Sequence, residues 1–280
     1  MAQANIPLPQ LLPPARGLGK TRRRDAWWIQ PLLVVTLLGG FIVYATWAAF
    51  QGAHYHFEGG GAQYLSPFYS PEIFGTSPHA LFGPLPSWFP WPSFLPFSPA
   101  LLILWAPGGF RFTCYYYRGA YYKAFWADPL SCAVGEPGFR GKKYRGEAKF
   151  PLILQNIHRY FMYASVVFLF FLAIDAWHGF FFLDAEGVKH FGVGVGSIVL
   201  LLNVILLSSY TLSCHSMRHI VGGFMDRLSG RPVRKKMYDC VTCLNKRHMV
   251  FAWVSLVWVA FSDVYVRLCS MGVWTDYRLF

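Results

Sequence analysis

The sequence predicts an all-α integral membrane protein, a bundle of five transmembrane helices with a cytoplasmic N-terminus and an external C-terminus. Composition gives the first two reasons: 55% of the 280 residues are hydrophobic and only 14% are charged. A soluble domain of this length usually carries about a quarter charged residues. The third reason is the uneven placement of lysine and arginine along the chain, which sorts the loops to two sides of a bilayer.

Four long apolar runs are the predicted spans I, III, IV and V. Each is long enough, or nearly so, to cross about 30 Å of hydrocarbon at roughly 1.5 Å per helical residue. They cover residues 26–50, 163–183, 191–214 and 249–266. A weaker run at 92–110 is predicted to be span II and to continue toward Cys114. In it Pro99 can begin a helix, and Pro107-Gly108-Gly109 can kink one.

The basic residues sort strongly between the loops that these spans define. The N-terminal tail and the segments 111–149 and 218–247 hold 21 of the 25 lysines and arginines. The opposite side holds three, and loop 51–99 has none. Because cytoplasmic loops carry the excess of positive charge, the N-terminus is predicted to be cytoplasmic. The net charge of +12 therefore reflects topology and does not indicate a nucleic-acid partner.

The predicted organisation is a cytoplasmic tail, residues 1–25, followed by a membrane domain, residues 26–280, in the inner (plasma) membrane. The stretch "TRRRDAWW" resembles a twin-arginine export signal, but the apolar run after it exceeds the roughly 7–15 residues of a signal-peptide core. Loop 51–95 is predicted to be an external, aromatic-rich cap, since tryptophan and tyrosine favour the interface. Loops 119–149 and 220–247 are predicted to be cytoplasmic.

This topology gathers five of the six cysteines and four of the nine histidines near the cytoplasmic leaflet. His158 lies about 12 Å into a span III that begins near residue 150, and Cys114 lies at the inner end of span II. Span IV is predicted to end at Gly222-Gly223. The remaining cysteines and histidines of this cytoplasmic group are Cys132, Cys214, His215, His219, Cys240, Cys243 and His248. A single buried histidine is often only a packing residue, but His215 and His219 share one helix face at i and i+4.

Polar residues inside the spans indicate function or buried pairs. Asp263 can pair with Arg267 at i+4, and Asp175 with His178 at i+3. Arg159 has no such partner and suits an anion or a polar quinone head group. The aromatic stretch "FTCYYYRGAYYKAFW" (112–126) fits either an interfacial girdle or a quinone pocket, in which rings hold the flat head and polar groups bind its carbonyls.

Five motifs in order, "RFTCYYYRGAYYKAFW", "FPLILQNIHRYF", "YTLSCHSMRH", "LNKRHMVFAW" and "DVYVRL", closely resemble the single-polypeptide membrane-anchor subunit of actinobacterial succinate dehydrogenase, called SdhC. The resemblance covers roughly residues 25–280. It implies two partners on the cytoplasmic face, a flavoprotein subunit and an iron–sulfur subunit. It also implies that this subunit passes electrons to menaquinone and contains no dehydrogenase chemistry of its own.

The resemblance further implies a Rieske-type [2Fe–2S] cluster within the membrane, which needs two cysteines and two histidines. The expected metal ligands are Cys114, Cys132, His158 and either His215 or His219. The alternatives for the second thiol are Cys214 and the pair Cys240 and Cys243. Haem b on two histidines is the alternative cofactor. Two stacked haems are hard to build, because the outer leaflet offers only His178.

The residues expected to bind quinone are Tyr115, Arg118, Trp126 and Arg159. A different class of function, a small proton-conducting transporter, would use Asp175, His178 and Asp263 as a relay. Such transporters usually show an internal repeat, and no internal repeat is evident in the sequence. A cytochrome b-like reductase without soluble partners is the third hypothesis.

Overall fold

The computed structural model describes residues 25–125, 149, 153–223, 227 and 230–280. Within these residues the chain forms nine α-helices and two short antiparallel hairpins. The helices are α1 Ile29–Gln51, α2 Pro99–Ile103, α3 Trp105–Thr113, α4 Tyr115–Ala124, α5 Ile153–His178, α6 Val195–Leu212, α7 His215–Gly222, α8 Pro232–Asn245 and α9 His248–Ser270. The strands are β1 His56–Gly59, β2 Ala62–Leu65, β3 Phe181–Leu183 and β4 Lys189–Phe191.

Four helices are long and apolar enough to cross a membrane: α1, Asn156–His178 of α5, α6 and α9. They match predicted spans I, III, IV and V. Many of their large apolar side chains face outward, among them Val43 at 71% and Phe170 at 64% exposure, as a lipid-facing surface requires. The prediction of a mostly helical, multi-pass membrane protein is confirmed. The fifth span and the sidedness of the termini stay predictions.

Predicted span II is divided into the short helices α2, α3 and α4. Pro99 stands at the first turn of α2, where no backbone donor is needed. Pro107 falls in the first turn of α3, and Leu104, which separates α2 from α3, lies three residues before it. Gly109 serves packing, since a Cβ there would lie 2.3 Å from the ring of Phe161 on α5. The helical path breaks again at Cys114, whose backbone is extended at φ −62° and ψ 135°.

Predicted span IV also ends earlier than expected. It was predicted to run to Gly222-Gly223, but α6 ends at Leu212 and the chain breaks at Cys214, with φ −63° and ψ 145°. The separate helix α7 then runs to Gly222. Each break therefore places a cysteine between two helices. Continuous helix is the prediction only at Cys214, since Cys114 is predicted to lie at the inner end of span II.

The two hairpins were not predicted by the all-α interpretation. They lie at the outer end of the bundle, defined here as the end where α1, α5 and α9 finish. The turn Gly60-Gly61 joins β1 to β2 with positive φ at both residues, 59° and 83°. A Cβ on Gly61 would lie 2.3 Å from the carbonyl oxygen of Leu183 in β3. The glycines thus allow both the tight turn and the close approach of the second hairpin.

Loop 51–95 packs on this outer end as a cap. The rings of Tyr55 and Tyr69 stack at 4.2 Å. The phenol of Tyr55 donates to buried Glu72 at 2.7 Å, and burial raises the pKa of Tyr55, so the phenol stays a donor. The predicted pair of Asp263 and Arg267 is present at 2.7 Å, with both side chains buried.

Asp263 also accepts hydrogen bonds from Tyr44 and Ser66. Arg267 donates to the carbonyls of Ala48 and Ala53 at the end of α1. The pair is therefore built into the attachment of α1 to α9, which does not favour Asp263 as a proton relay.

The inner end of the bundle is defined as the end where α5 and α9 begin and α6 finishes. Helix α6 packs against α5 and α9, and α3 packs against α5. A buried apolar cluster fills this end and surrounds both Cys114 and Cys214. Antiparallel packing thus brings the two backbone breaks close to the starts of α5 and α9.

Candidate metal centre

Two cysteines occupy equivalent positions in two short, similar sequences. "TCYYYR" (113–118) and "SCHSMR" (213–218) both read Thr/Ser-Cys-x-x-x-Arg. In each, the cysteine carbonyl accepts the amide of the arginine four residues later, at 2.8 Å in the first and 3.1 Å in the second. Cys114 is 2% exposed and Cys214 is fully buried. The extended backbone before each new helix turns both thiols into the bundle.

Each thiol meets a buried imidazole from a neighbouring helix. The Nε2 of His158, on α5, lies 3.0 Å from the Sγ of Cys214. The Nε2 of His248, the first residue of α9, lies 3.6 Å from the Sγ of Cys114. Both histidines are at most 2% exposed. Two thiols and two imidazoles therefore converge at the inner end of the bundle.

The residue before each cysteine fixes one of these imidazoles. The hydroxyl of Thr113 lies 2.8 Å from the Nδ1 of His158, and the hydroxyl of Ser213 lies 2.7 Å from the Nδ1 of His248. Each hydroxyl donates its single hydrogen to a carbonyl of its own helix, that of Gly109 or Tyr210. It must then accept from the imidazole, so Nδ1 carries the proton and Nε2 presents a lone pair.

Aromatic rings cover the two imidazoles in the same repeated way. Phe110 stacks on His158, with ring centroids 4.6 Å apart, and Tyr210 stacks on His248 at 5.1 Å. Both rings stand four residues, about one helical turn, before a cysteine. Asn245 donates to the carbonyl of Ser213 at 2.8 Å and so satisfies a group freed by the second break. Each of the two repeated segments thus supplies an aromatic ring, a hydroxyl and a thiol at the same spacing.

The structure brings together only part of the predicted ligand set. Cys114 and His158 lie at the centre, together with Cys214, the alternative for the second thiol. His215 is exposed, but its ring lies parallel to that of His158 at 5.6 Å, and its Nδ1 is 3.9 Å from the Sγ of Cys214. His158, Cys214 and His215 could hold a metal ion by distance alone.

The remaining candidate ligands lie elsewhere. His219 is exposed on α7, and Cys240 and Cys243 are exposed on α8. Cys132 lies outside the described residues. Neither α7 nor α8 therefore adds a buried donor to the candidate centre.

His248 is the site residue that the sequence interpretation missed. Its position in the cytoplasmic leaflet was predicted, but it directly follows the basic loop and was not included among the ligands. The sequence signal that could have identified His248 is the repeated Thr/Ser-Cys pair. Two equivalent hydroxyls beside two cysteines indicate two histidine partners.

Three of the four residues expected to bind quinone are among the described residues. Tyr115 is 55% exposed and Arg159 is exposed as well. The guanidinium of Arg118 lies 5.4 Å from the ring centre of Tyr115. Trp126 lies outside the described residues.

A cavity of about 410 Å³ opens beside the candidate metal centre, between α1, α3, α4 and α9. Its lining includes Leu38, Phe41, Arg111, Phe112, Tyr117, Tyr121 and Leu256. Arg111 donates to the phenol of Tyr117 at 2.8 Å and to the hydroxyl of Ser255 at 2.9 Å. The cavity thus combines apolar and aromatic walls with one positive group, as small-molecule sites usually do.

The chain matches the family model for actinobacterial succinate dehydrogenase subunit SdhC over residues 29–272. Among solved structures it is similar to a chain of the Mycobacterium smegmatis Sdh1 complex in the apo form, with 43% sequence identity and a TM-score of 0.79. That similarity covers 93% of this chain and 94% of the other. The search of curated proteins gave no match. The family match includes both repeated motifs and both buried histidines, and the chain belongs to the SdhC family, the membrane-anchor subunits of actinobacterial succinate dehydrogenase.

Proposed function

We propose that this subunit conducts electrons from the iron–sulfur subunit of a succinate dehydrogenase to menaquinone through a Rieske-type [2Fe–2S] cluster. The proposed ligands are Cys114, Cys214, His158 and His248. One observation carries the proposal: two buried thiols face two buried imidazoles whose Nε2 atoms present lone pairs. His248 and Cys214 replace His215 or His219 and Cys132 in the ligand set expected from the sequence.

The donor set fits such a cluster. Two thiolates and two imidazoles would hold such a cluster, and the imidazoles would raise its reduction potential above that of an all-cysteine cluster. Thr113 and Ser213 act as outer hydrogen-bond partners that fix imidazole orientation and tautomer. On loading, the thiol–imidazole contacts of 3.0 and 3.6 Å would be exchanged for metal bonds. When bound, the cluster supplies one-electron transfer.

The alternative cofactor, haem b on two histidines, makes less use of these residues. A bis-histidine haem has no thiol ligand, yet each imidazole here faces a buried thiol. The two thiols also occupy equivalent positions in a repeated motif, which favours paired use of both. The donor chemistry therefore supports the cluster over the haem.

We further propose that the 410 Å³ cavity receives the quinone head group. Its polar wall is the guanidinium of Arg111, which lies 4.6 Å from the centre of the Tyr210 ring. Tyr210 also stacks on His248 at 5.1 Å. A single aromatic ring thus contacts both the polar wall and a proposed ligand. Arg111, Tyr117 and Tyr121 replace Tyr115, Arg118, Trp126 and Arg159 in this role.

The partners we propose are the flavoprotein and iron–sulfur subunits, docked at the inner end of the bundle on the cytoplasmic side of the inner membrane. The similar chain from Mycobacterium smegmatis belongs to an Sdh1 complex, which supports such an assembly. Helix α8 stands at the inner end and carries exposed basic residues beside the centre.

The experiment compares His248→Ala with His215→Ala in the purified complex. We expect His248→Ala to lose the low-average-g EPR signal of a histidine-ligated cluster and to lose quinone reduction. Succinate oxidation by a soluble dye should persist, since that chemistry belongs to the flavoprotein. The control variant His215→Ala should keep the EPR signal, quinone reduction and dye reduction.

Two results would contradict the proposal. The EPR signal could survive in His248→Ala, which would remove His248 from the ligand set. Alternatively, the wild type could show a haem absorption band and no such EPR signal, which would assign the site to haem b.

A further inference from the structure

A second group of potential metal ligands lies at the outer end of the bundle. His79 comes from the cap, and Asp175 and His178 come from the last turn of α5. One ligand atom from each lies within 4.8 Å of the other two. Asp175 is 17 positions after His158, which puts this group about 25 Å along α5 from the candidate redox centre. It is therefore separate from the site of the proposed electron transfer.

The spacing of these groups suits a shared cation. The Nδ1 of His79 lies 3.6 Å from the Oδ1 of Asp175, which is long for a direct hydrogen bond. Two ligands on one tetrahedral zinc ion are roughly 3.4 Å apart, given metal–ligand distances of about 2.0–2.1 Å. The hydroxyl of Ser70 donates to the other oxygen of Asp175, which leaves Oδ1 for the cation. Such an outer hydrogen bond commonly orients a metal-binding carboxylate.

The ligands are held before any ion binds. The His79 side chain is 8% exposed and the Asp175 side chain is 15% exposed. The His79 amide donates to Ser77 at 3.1 Å, and Ser77 in turn donates to buried Glu72. Asp175 and His178 stand at i and i+3 on one face of α5. His178 is exposed, so one side of the group is open to solvent.

We propose that His79, Asp175 and His178 form a binding site for a borderline divalent cation, with zinc as the preferred ion. Two imidazoles and one carboxylate suit zinc better than calcium or magnesium, which prefer oxygen ligands. Three protein ligands leave a fourth position for water. The bound ion cross-links the cap to the end of α5, so its effect is on the outer surface of the subunit.

Zinc binding to the purified, chelator-treated complex tests this site. Zinc chloride is the probe, and bound zinc is measured by elemental analysis and by calorimetric titration. His178→Ala removes one exposed ligand, and Asp175→Asn removes the charge while keeping an oxygen for Ser70. Each should weaken zinc binding by at least about tenfold, since even outer partners of metal sites contribute that much.

The matched control is His190→Ala. His190 lies 2.8 Å from Asp184 and forms another histidine–carboxylate pair. This pair is exposed and has two potential metal ligands instead of three. We expect the control to bind zinc as the wild type does. Equal zinc affinity in His178→Ala and the wild type, or an equal loss in His190→Ala, would overturn the proposal and leave an ordinary ion pair. Iron content and EPR of the same samples report the redox centre separately.

Discussion

The Nε2 of His158 lies 3.0 Å from the Sγ of Cys214, although 56 residues separate them along the chain. The contact follows from antiparallel packing, because the first turns of α5 lie beside the last turns of α6. The same arrangement joins His248, at the start of α9, to Cys114 after α3. In both cases a helix start supplies the imidazole and a helix break supplies the thiol.

The hydroxyl of Thr113 predicts a first mutational result. Thr113→Val removes the acceptor for the Nδ1 proton of His158, so the imidazole loses its fixed tautomer. Loss of an outer partner typically lowers metal affinity or activity by about 10–100-fold. We expect Thr113→Val to reduce the cluster EPR signal and quinone reduction, with dye reduction unchanged. Thr113→Ser restores the hydroxyl and should restore both, whereas a purely structural role for the methyl group would leave Thr113→Ser defective.

The positions of the long helices could be predicted from sequence, because twenty or so apolar residues in a bilayer have few alternatives to a helix. The same reasoning predicted that Cys114 and His158 lie at similar depth near the cytoplasmic side. The breaks at Cys114 and Cys214 could not be predicted from local residue preferences, since neither position carries a proline or glycine. They depend on tertiary contacts such as the bond from Asn245 to Ser213.

The β1–β2 hairpin shows the opposite case, a local signal that was present and overlooked. "EGGGA" places Gly60 and Gly61 where a two-residue turn needs positive φ at both positions. The aromatic residues of the long loop around it indicate interfacial packing instead. The outer end was therefore the part of the fold least well predicted from sequence.

The exposed basic residues in α8 and just before it predict a docking result. Arg231 and Lys236 are exposed at the inner end, and reversing both to Glu should weaken attachment of the soluble subunits. The effect should be larger at low salt, because exposed charges are screened beyond about 8 Å at physiological ionic strength. Co-purification over a range of salt concentrations measures it. Lys189→Glu on β4 is the control, and equal losses in both variants would exclude α8 as the docking face. Lys142, Lys143 and Arg145, which the sequence also indicated, lie outside the described residues.

The sidedness of the chain gives a third prediction. A reporter fused after Phe280 should be external, and one inserted near Arg231 should be cytoplasmic, because lysine and arginine concentrate on the cytoplasmic side. Protease accessibility in sealed spheroplasts provides the measurement. Both reporters on one side would contradict the five-span topology and require α2, α3 and α4 to return to the side from which they enter.

The last prediction concerns the cavity beside the metal centre. Gly108 lines this cavity, and a Cβ added there would meet no atom within 4 Å. Gly108→Leu should therefore fill the space without disturbing α3. If the cavity receives quinone, the variant should raise the KM for quinone by about tenfold or more, as small steric changes in apolar pockets do. Dye reduction and the cluster EPR signal should remain, because the ligands and the soluble subunits are untouched.

Gly119→Leu is the matched control, since Gly119 lies on α4, also has open space at its Cβ, and is not part of the cavity lining. Steady-state kinetics with a short-chain menaquinone analogue distinguish the two variants. An unchanged KM in Gly108→Leu, or the same rise in Gly119→Leu, would place quinone binding elsewhere.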